Sequence, residues 1–216
     1  MITIMSNNYD VKKIVDELLD KIDAVYTDER KTAVRARMND YWNGIYPDDR
    51  FPFVVNTIDP NPPEIPCDVS DFDKELITQL SSIVYRSNWD DDYYPGLVPG
   101  VRQVLIPASF GCKEDHASDS VKVVGCINKP EDVYNLEYIG FPSDSIGGEM
   151  LKKMKYWREA TNKRIMLYEA DMQGPFSVAC QTWGMMDLLS ELYISPDEVH
   201  YLMNMTTQAV VSGNYS

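Results

Sequence analysis

The sequence contains no run of 18 apolar residues, which predicts no membrane-spanning helix. Histidine is scarce: there are two, His116 and His200, and neither has a Cys or His at metal-ligand spacing. The four cysteines, Cys67, Cys112, Cys126 and Cys180, form no C-x-x-C pair. That spacing predicts reduced thiols rather than a disulfide framework. Positive charge is short as well. Lys and Arg number 20 against 34 Asp and Glu, a formal net charge of -14 that opposes nucleic acid and anionic membranes as partners. The densest basic run, Lys152, Lys153 and Lys155, reads as a solvated helix face. Met1–Asp10 has no basic stretch followed by an apolar core, so no secretory signal is expected. Together with reduced thiols, this makes a cytoplasmic location the expectation. There is no internal repeat and no low-complexity segment.

What is present is the composition of a globular domain, with 44% hydrophobic and 25% charged residues. Residues 1–216 are expected to form a single domain, with 1–50 as a helical extension. Val11, Ile14, Val15, Leu18, Leu19 and Ile22 predict an amphipathic helix over Asp10–Ala24. Thr27 is placed to cap a second helix that runs to Asn43 and stops at Gly44. Ser70 is placed to cap a third, to Tyr85, with Asp73 in the reciprocal capping slot. Further helices are predicted over Ser145–Asn162 and, opened by Ser195-Pro196-Asp197-Glu198, to about Val211.

Three apolar, β-branched runs predict buried strands: Phe51–Thr57, Val101–Ser109 and Arg164–Ala170. Val121–Cys126 predicts a short added strand, and Lys113–Ser120 a surface excursion. Helices alternating with strands define an α/β order, and each gap leaves room for a crossover helix, so the strands are expected to be parallel.

Three segments resemble the uroporphyrinogen decarboxylase superfamily. The first is Asp92-Tyr93-Tyr94-Pro95, then Gly100, then Leu105–Cys112 (LIPASFGC). The second is Glu169–Ala179, with Gly174-Pro175 leading into a helix. The third runs from Gly184-Met185-Met186-Asp187-Leu188-Leu189 to Pro196-Asp197-Glu198-Val199-His200. Their order and spacing agree with that superfamily as well as their letters do.

The resemblance implies a (β/α)₈ barrel of the TIM type, of which 51–216 would supply about the first three strands. A closed barrel needs eight strands and typically about 250 residues. It also implies one of two chemistries: cofactor-free loss of carboxylate from a tetrapyrrole side chain, or methyl transfer between a corrinoid protein and a thiol on a zinc-bound thiolate. The decarboxylases carry an arginine-rich loop after their first strand; here Asp59-Pro60-Asn61-Pro62 follows Phe51–Thr57, with no arginine until Arg86. Fixed arginines are what a polycarboxylate substrate requires.

The leading expectation is therefore the N-terminal part of a corrinoid-dependent, methyltransferase-like enzyme. Its partner would be a small-molecule substrate or a corrinoid protein. No cofactor is visible in this chain, and zinc would belong to the barrel's other half. The alternatives are a decarboxylase of tetrapyrrole biosynthesis and a non-catalytic chain that acts by self-association, for instance as a homodimer whose unpaired strand edges meet.

Barrel sites lie where strands end. That rule selects the polar residues Asn56 and Thr57, Ser109, and Glu169, Asp171 and Gln173. Asp171 is the catalytic candidate, and Asn56, Ser109, Phe110, Glu169 and Gln173 are substrate-binding candidates. For Asp171 two readings stand side by side: an acid that accepts a proton or orients a base, and a side chain that hydrogen-bonds the turn after its strand. Gly174 and Pro175 read as backbone devices. Cys112 reads either as a site thiol or as a small buried hydrophobe. Asp90, Asp91 and Asp92, flanked by Trp89, Tyr93 and Tyr94, read as a cation site, a sugar-binding loop or a solvated loop anchored by aromatics.

Overall fold

A computed structural model describes residues 10–46, 50–100, 104–115 and 122–213. The chain gathers into two compact units, one taking the chain up to Leu97 plus Met154–Tyr168, the other Val98–Lys153 plus Glu169–Ser216.

In the first unit, α1 (Val11–Val25) is capped by Asp10, whose carboxylate accepts from the Lys13 amide at 3.1 Å. The second helix, α2 (Asp28–Trp42), starts at Thr27, whose hydroxyl accepts from the Arg30 amide at 3.3 Å. Ser70 caps α3 (Asp71–Arg86), accepting from the Asp73 amide at 3.2 Å and donating to the Asp73 carboxylate at 2.7 Å. Each cap satisfies an amide that the first helical turn leaves without a partner. The apolar face of α1 (Val15, Leu19, Ile22) meets that of α3 (Leu76, Ile77, Leu80, Ile83), and Tyr26, Leu97, Trp157 and Ile165 complete the core. The Trp157 indole donates to the Phe72 carbonyl at 2.9 Å.

Two short strands, β1 (Gly96–Leu97) and β4 (Met166–Leu167), pair in parallel, with Gly96 opposite Met166 and Leu97 opposite Leu167. The Tyr168 amide adds one bond to the Leu97 carbonyl at 2.8 Å. Gly96 is needed there because a Cβ would run into the Tyr168 ring. The connection from β1 to β4 includes α5 (Ile146–Ala160), as a parallel pair requires a crossover.

The second unit carries α4 (Leu105–Ala108), an antiparallel hairpin of β2 (Lys113–Asp115) and β3 (Lys122–Val124), and a 3₁₀ turn at Pro130–Asn135. Three helices follow: α6 (Pro175–Trp183), α7 (Met185–Ile194) and α8 (Pro196–Gly213). One apolar cluster joins Ile127, Val133, Ala179, Trp183, Leu188, Val199 and Leu202. Another joins Ile106, Phe110, Val178 and Ala209. Gly148, in the first turn of α5, faces backbone: a Cβ there would collide with the Pro142 carbonyl.

The molecule is thus α/β and mainly helical, but the strands differ from the expectation. Phe51–Thr57 is not a strand. It pairs with no strand among the described residues, and Phe51 is 64% exposed. Its amides are taken by carboxylates instead, as described below. Of Val101–Ser109, residues 101–103 lie outside the described residues, and Leu105–Ala108 is a helical turn and not a strand. Pro107 has no amide to give a ladder, which argues against a central strand at this position. Of Arg164–Ala170, only Met166–Leu167 pairs.

Lys113–Asp115, expected within a surface excursion, forms one arm of the hairpin, and the short strand expected over Val121–Cys126 is present as its other arm. Among the described residues there are four strands, each of two or three residues, and they make two two-stranded sheets rather than a barrel. The expected basic helix face is only partly solvated, because Lys153 is 9% exposed. No helix among the described residues is long and apolar enough to cross a membrane.

Candidate functional site

Of the six catalytic and substrate-binding candidates, Asn56 belongs to the first unit and the other five to the second. Asn56 is exposed in the first unit. Ser109 and Phe110 are buried in the second, where the Ser109 hydroxyl donates to the Ile106 carbonyl at 2.6 Å and Phe110 joins an apolar cluster. Glu169 is exposed. Asp171 is exposed too, and its carboxylate accepts from the Gln173 amide at 3.1 Å and from the Gln173 side-chain nitrogen at 2.9 Å. Gln173 holds a φ of 60°, so Asp171 braces a left-handed turn. The geometry around Asp171 is that of the turn-bonding reading. Gly174 and Pro175 then open α6. His200 is exposed on α8, and His116 lies outside the described residues. Among the described residues no group of three or more His, Cys, Asp or Glu is arranged to hold a metal ion.

Two polar constellations stand out instead. The first is built on Asp91 and Asp92. The expectation of a solvated acidic loop fails here: both side chains are 1% exposed. Asp91 accepts from the Val55 amide at 2.8 Å and the Tyr93 amide at 3.3 Å, with Arg30 at 4.0 Å. Asp92 accepts from the Phe53 amide at 3.1 Å and pairs with Arg37 at 3.3 Å and Arg50 at 3.4 Å. A backbone bond from the Asp92 amide to the Phe53 carbonyl, 2.9 Å long, finishes the clamp on the extended segment.

Aromatic faces support the arginines. Arg30 lies 4.7 Å from the Tyr26 ring centre, Arg50 4.8 Å from that of Phe53, and Arg86 4.0 Å from that of Tyr93. Arg86 also donates to the Val55 carbonyl. Removing a carboxylate from water is costly, and these amides and guanidinium groups offset that cost. Burial pushes the Tyr26 hydroxyl up to about 12, against the opposing pull of Arg30. Burial likewise raises Tyr93, and Arg86 opposes it. The constellation can hold a loop in place, because each carboxylate is tied to a backbone amide of the extended segment and to at least one arginine.

The second constellation is a pair of thiols. The Sγ atoms of Cys112 and Cys126 lie 2.7 Å apart. The hydrogen bond with Cys126, then burial, raises the Cys112 thiol well above its ordinary value. The same bond lowers Cys126, with burial opposing. Sequence reading missed both constellations because their members are far apart along the chain. The one available signal was the count of arginines, at positions 30, 37, 50 and 86, against the Asp91-Asp92 pair.

Comparison with known proteins finds no matching family model, no matching curated protein and no matching solved structure.

Proposed function

We propose that this chain contributes the early strands and helices of a (β/α)₈ barrel resembling the uroporphyrinogen decarboxylase superfamily, on the methyltransferase side of that group. The observation that carries this reading is the parallel pairing of β1 with β4 across a helical crossover, followed by the Gly174-Pro175 entry into α6. Of the three resembling segments, Glu169–Ala179 has the implied Gly-Pro entry into a helix, whereas Leu105–Ala108 of the first segment is a helical turn and not the implied strand. The partner would be a corrinoid protein or a small-molecule methyl carrier, encountered in the cytoplasm. Zinc would be bound by residues of the remaining barrel and would activate a thiol as the methyl acceptor.

The choice of methyl transfer over loss of carboxylate rests on the arginines. Arg30, Arg37 and Arg50 face Asp91 and Asp92, and Arg86 is spent on the Val55 carbonyl and the Tyr93 ring. Cations engaged in this way are not offered to a substrate bearing several carboxylates. The test is turnover by the full-length polypeptide carrying these residues, supplied with methylcobalamin, a thiol and zinc. Loss of the methyl-cobalt absorbance with appearance of a thioether supports the reading. Release of carbon dioxide from a uroporphyrinogen would replace it with the decarboxylase alternative, and no turnover in either assay removes both.

A second reading, association without catalysis, is favoured by α7. Only Leu188 on that helix is buried. Met185, Met186, Leu189, Leu192, Tyr193 and Ile194 are exposed, Met186 by 74% and Tyr193 by 92%. An apolar helix left open in this way suits a partner surface, either further barrel or a second copy. Sedimentation velocity of the chain over a range of concentration separates the two: a concentration-dependent dimer supports self-association, and a monomer throughout removes it.

A further inference from the structure

We propose that Cys112 and Cys126 form a reversible intramolecular disulfide, a redox modification site that responds to a disulfide donor such as oxidised glutathione. The pair is made by the backbone and not by chance rotamers. Cys112 follows the α4 turn, where its amide donates to the Pro107 carbonyl at 3.2 Å, and leads directly into β2. Cys126 follows β3, and its amide donates to the Thr182 carbonyl on α6 at 2.8 Å. The hairpin register, Lys113 opposite Val124, brings the two ends side by side.

With Sγ atoms 2.7 Å apart, the thiols are closer than unbonded sulfurs ordinarily approach. Closing to a bond of about 2 Å requires less than about 1 Å of movement. The other two cysteines are differently placed: Cys67 is exposed, and Cys180 is buried in an apolar cluster.

The chemistry is thiol–disulfide exchange in two steps. Cys126 is the more accessible of the pair, and hydrogen bonding from Cys112 favours its thiolate. That thiolate attacks one sulfur of the donor, forming a mixed disulfide and expelling one glutathione thiolate. Cys112 then loses its proton and attacks the Cys126 sulfur, expelling the second glutathione thiolate. The two cysteines lose two protons and two electrons, and the donor gains both as two thiols. The product bond would tie the turn after α4 to the segment after β3, closing the hairpin at its open end. In a reducing compartment the pair rests as two thiols. Nothing in this chemistry depends on which barrel reaction the chain serves.

The test uses the full chain, fully reduced and then equilibrated across ratios of oxidised to reduced glutathione. Remaining thiols are alkylated under denaturing conditions and counted by intact mass, and the bridge is located by peptide mapping. The expected result is the joint loss of the Cys112 and Cys126 thiols with no glutathione on either and a Cys112–Cys126 cross-linked peptide, while Cys180 remains alkylated. Cys112→Ser should trap glutathione on Cys126 as a stable adduct, and Cys126→Ser should leave Cys112 unmodified at the same ratios. The proposal is overturned if both thiols are still alkylated at ratios where exposed Cys67 already carries glutathione. It is overturned equally if Cys112→Ser leaves Cys126 free, or if the bridge maps to another pair.

Discussion

In the first unit the buried carboxylates of Asp91 and Asp92 find partners far along the chain; in the second the buried hydroxyls find theirs within a single helical turn. Asp91 reaches back 36 residues to the Val55 amide, and Asp92 reaches back 39 to that of Phe53. In the second unit the buried hydroxyls of Ser109, Thr182 and Thr206 donate three or four residues back, to Ile106, Val178 and Met203. Buried charge in one place and local hydroxyl bonds in the other fulfil the same requirement, that a polar group leaving water finds a partner. The consequences differ. A local bond forms with its helix and specifies little else. The long-range clamp fixes the path of Phe51–Val55, a segment whose exposed side chains give it little packing of its own.

The largest effect should come from the shared apolar core of the first unit. Trp157→Ala removes a fully buried indole and its bond to Phe72, and should cost about 3 to 5 kcal/mol in urea unfolding. A loss below about 1 kcal/mol would mean that α5 is not anchored as described. Next comes the clamp. Asp92→Ala leaves Arg37 and Arg50 without their shared carboxylate, and should destabilise by about 3 kcal/mol, again by urea unfolding. A change within experimental scatter would make the buried pair dispensable and remove the contrast between the units.

The third effect depends on pH. Tyr26 ionises near its ordinary value of about 10 when unfolded and at about 12 when folded. A raised folded value means that the contribution is complete below pH 10 and is lost as pH rises towards 12, because the unfolded chain gives up its proton first. The expected loss across that window is about 2 to 3 kcal/mol. Tyr26→Phe should flatten that part of a melting-temperature profile. Its neutral-pH stability should hold or rise, because the hydroxyl is buried with no hydrogen-bond partner among the described residues. The smallest effect lies on α7: Tyr193→Ser and Ile194→Ser should change stability by no more than about 0.5 kcal/mol while weakening any dimer seen by sedimentation.

The same contrast explains what was legible in the sequence. Helices α1, α2, α3, α5 and α8 were, because their signals are local: Thr27 and Ser70 at caps, the three- and four-residue spacing from Val11 to Ile22, and Pro196 at a helix start. The strands were legible only in part. Arg164–Ala170 contains a paired stretch, but an apolar run such as Phe51–Thr57 has the composition of a buried strand whether or not a neighbour exists to accept it. Here the neighbours are side chains of Asp91 and Asp92. Leu105–Ser109 carried its own warning in Pro107. Of the candidate site, the turn-bonding alternative for Asp171 describes its observed bonds to Gln173. The Asp91–Asp92 clamp and the Cys112–Cys126 pair were not legible, because spacing along the chain does not report distances across a fold.

The claim on which the rest depends is that Arg30, Arg37 and Arg50 are committed to Asp91 and Asp92. Hydrogen–deuterium exchange of Asp92→Asn against the unaltered chain tests it directly. The account predicts that amides at Phe53–Val55 and along α2 exchange faster by about tenfold or more, while α6 to α8 are unchanged. Unchanged exchange at Phe53–Val55 would contradict it, returning Arg37 and Arg50 to the pool of cations available to a carboxylate-bearing substrate.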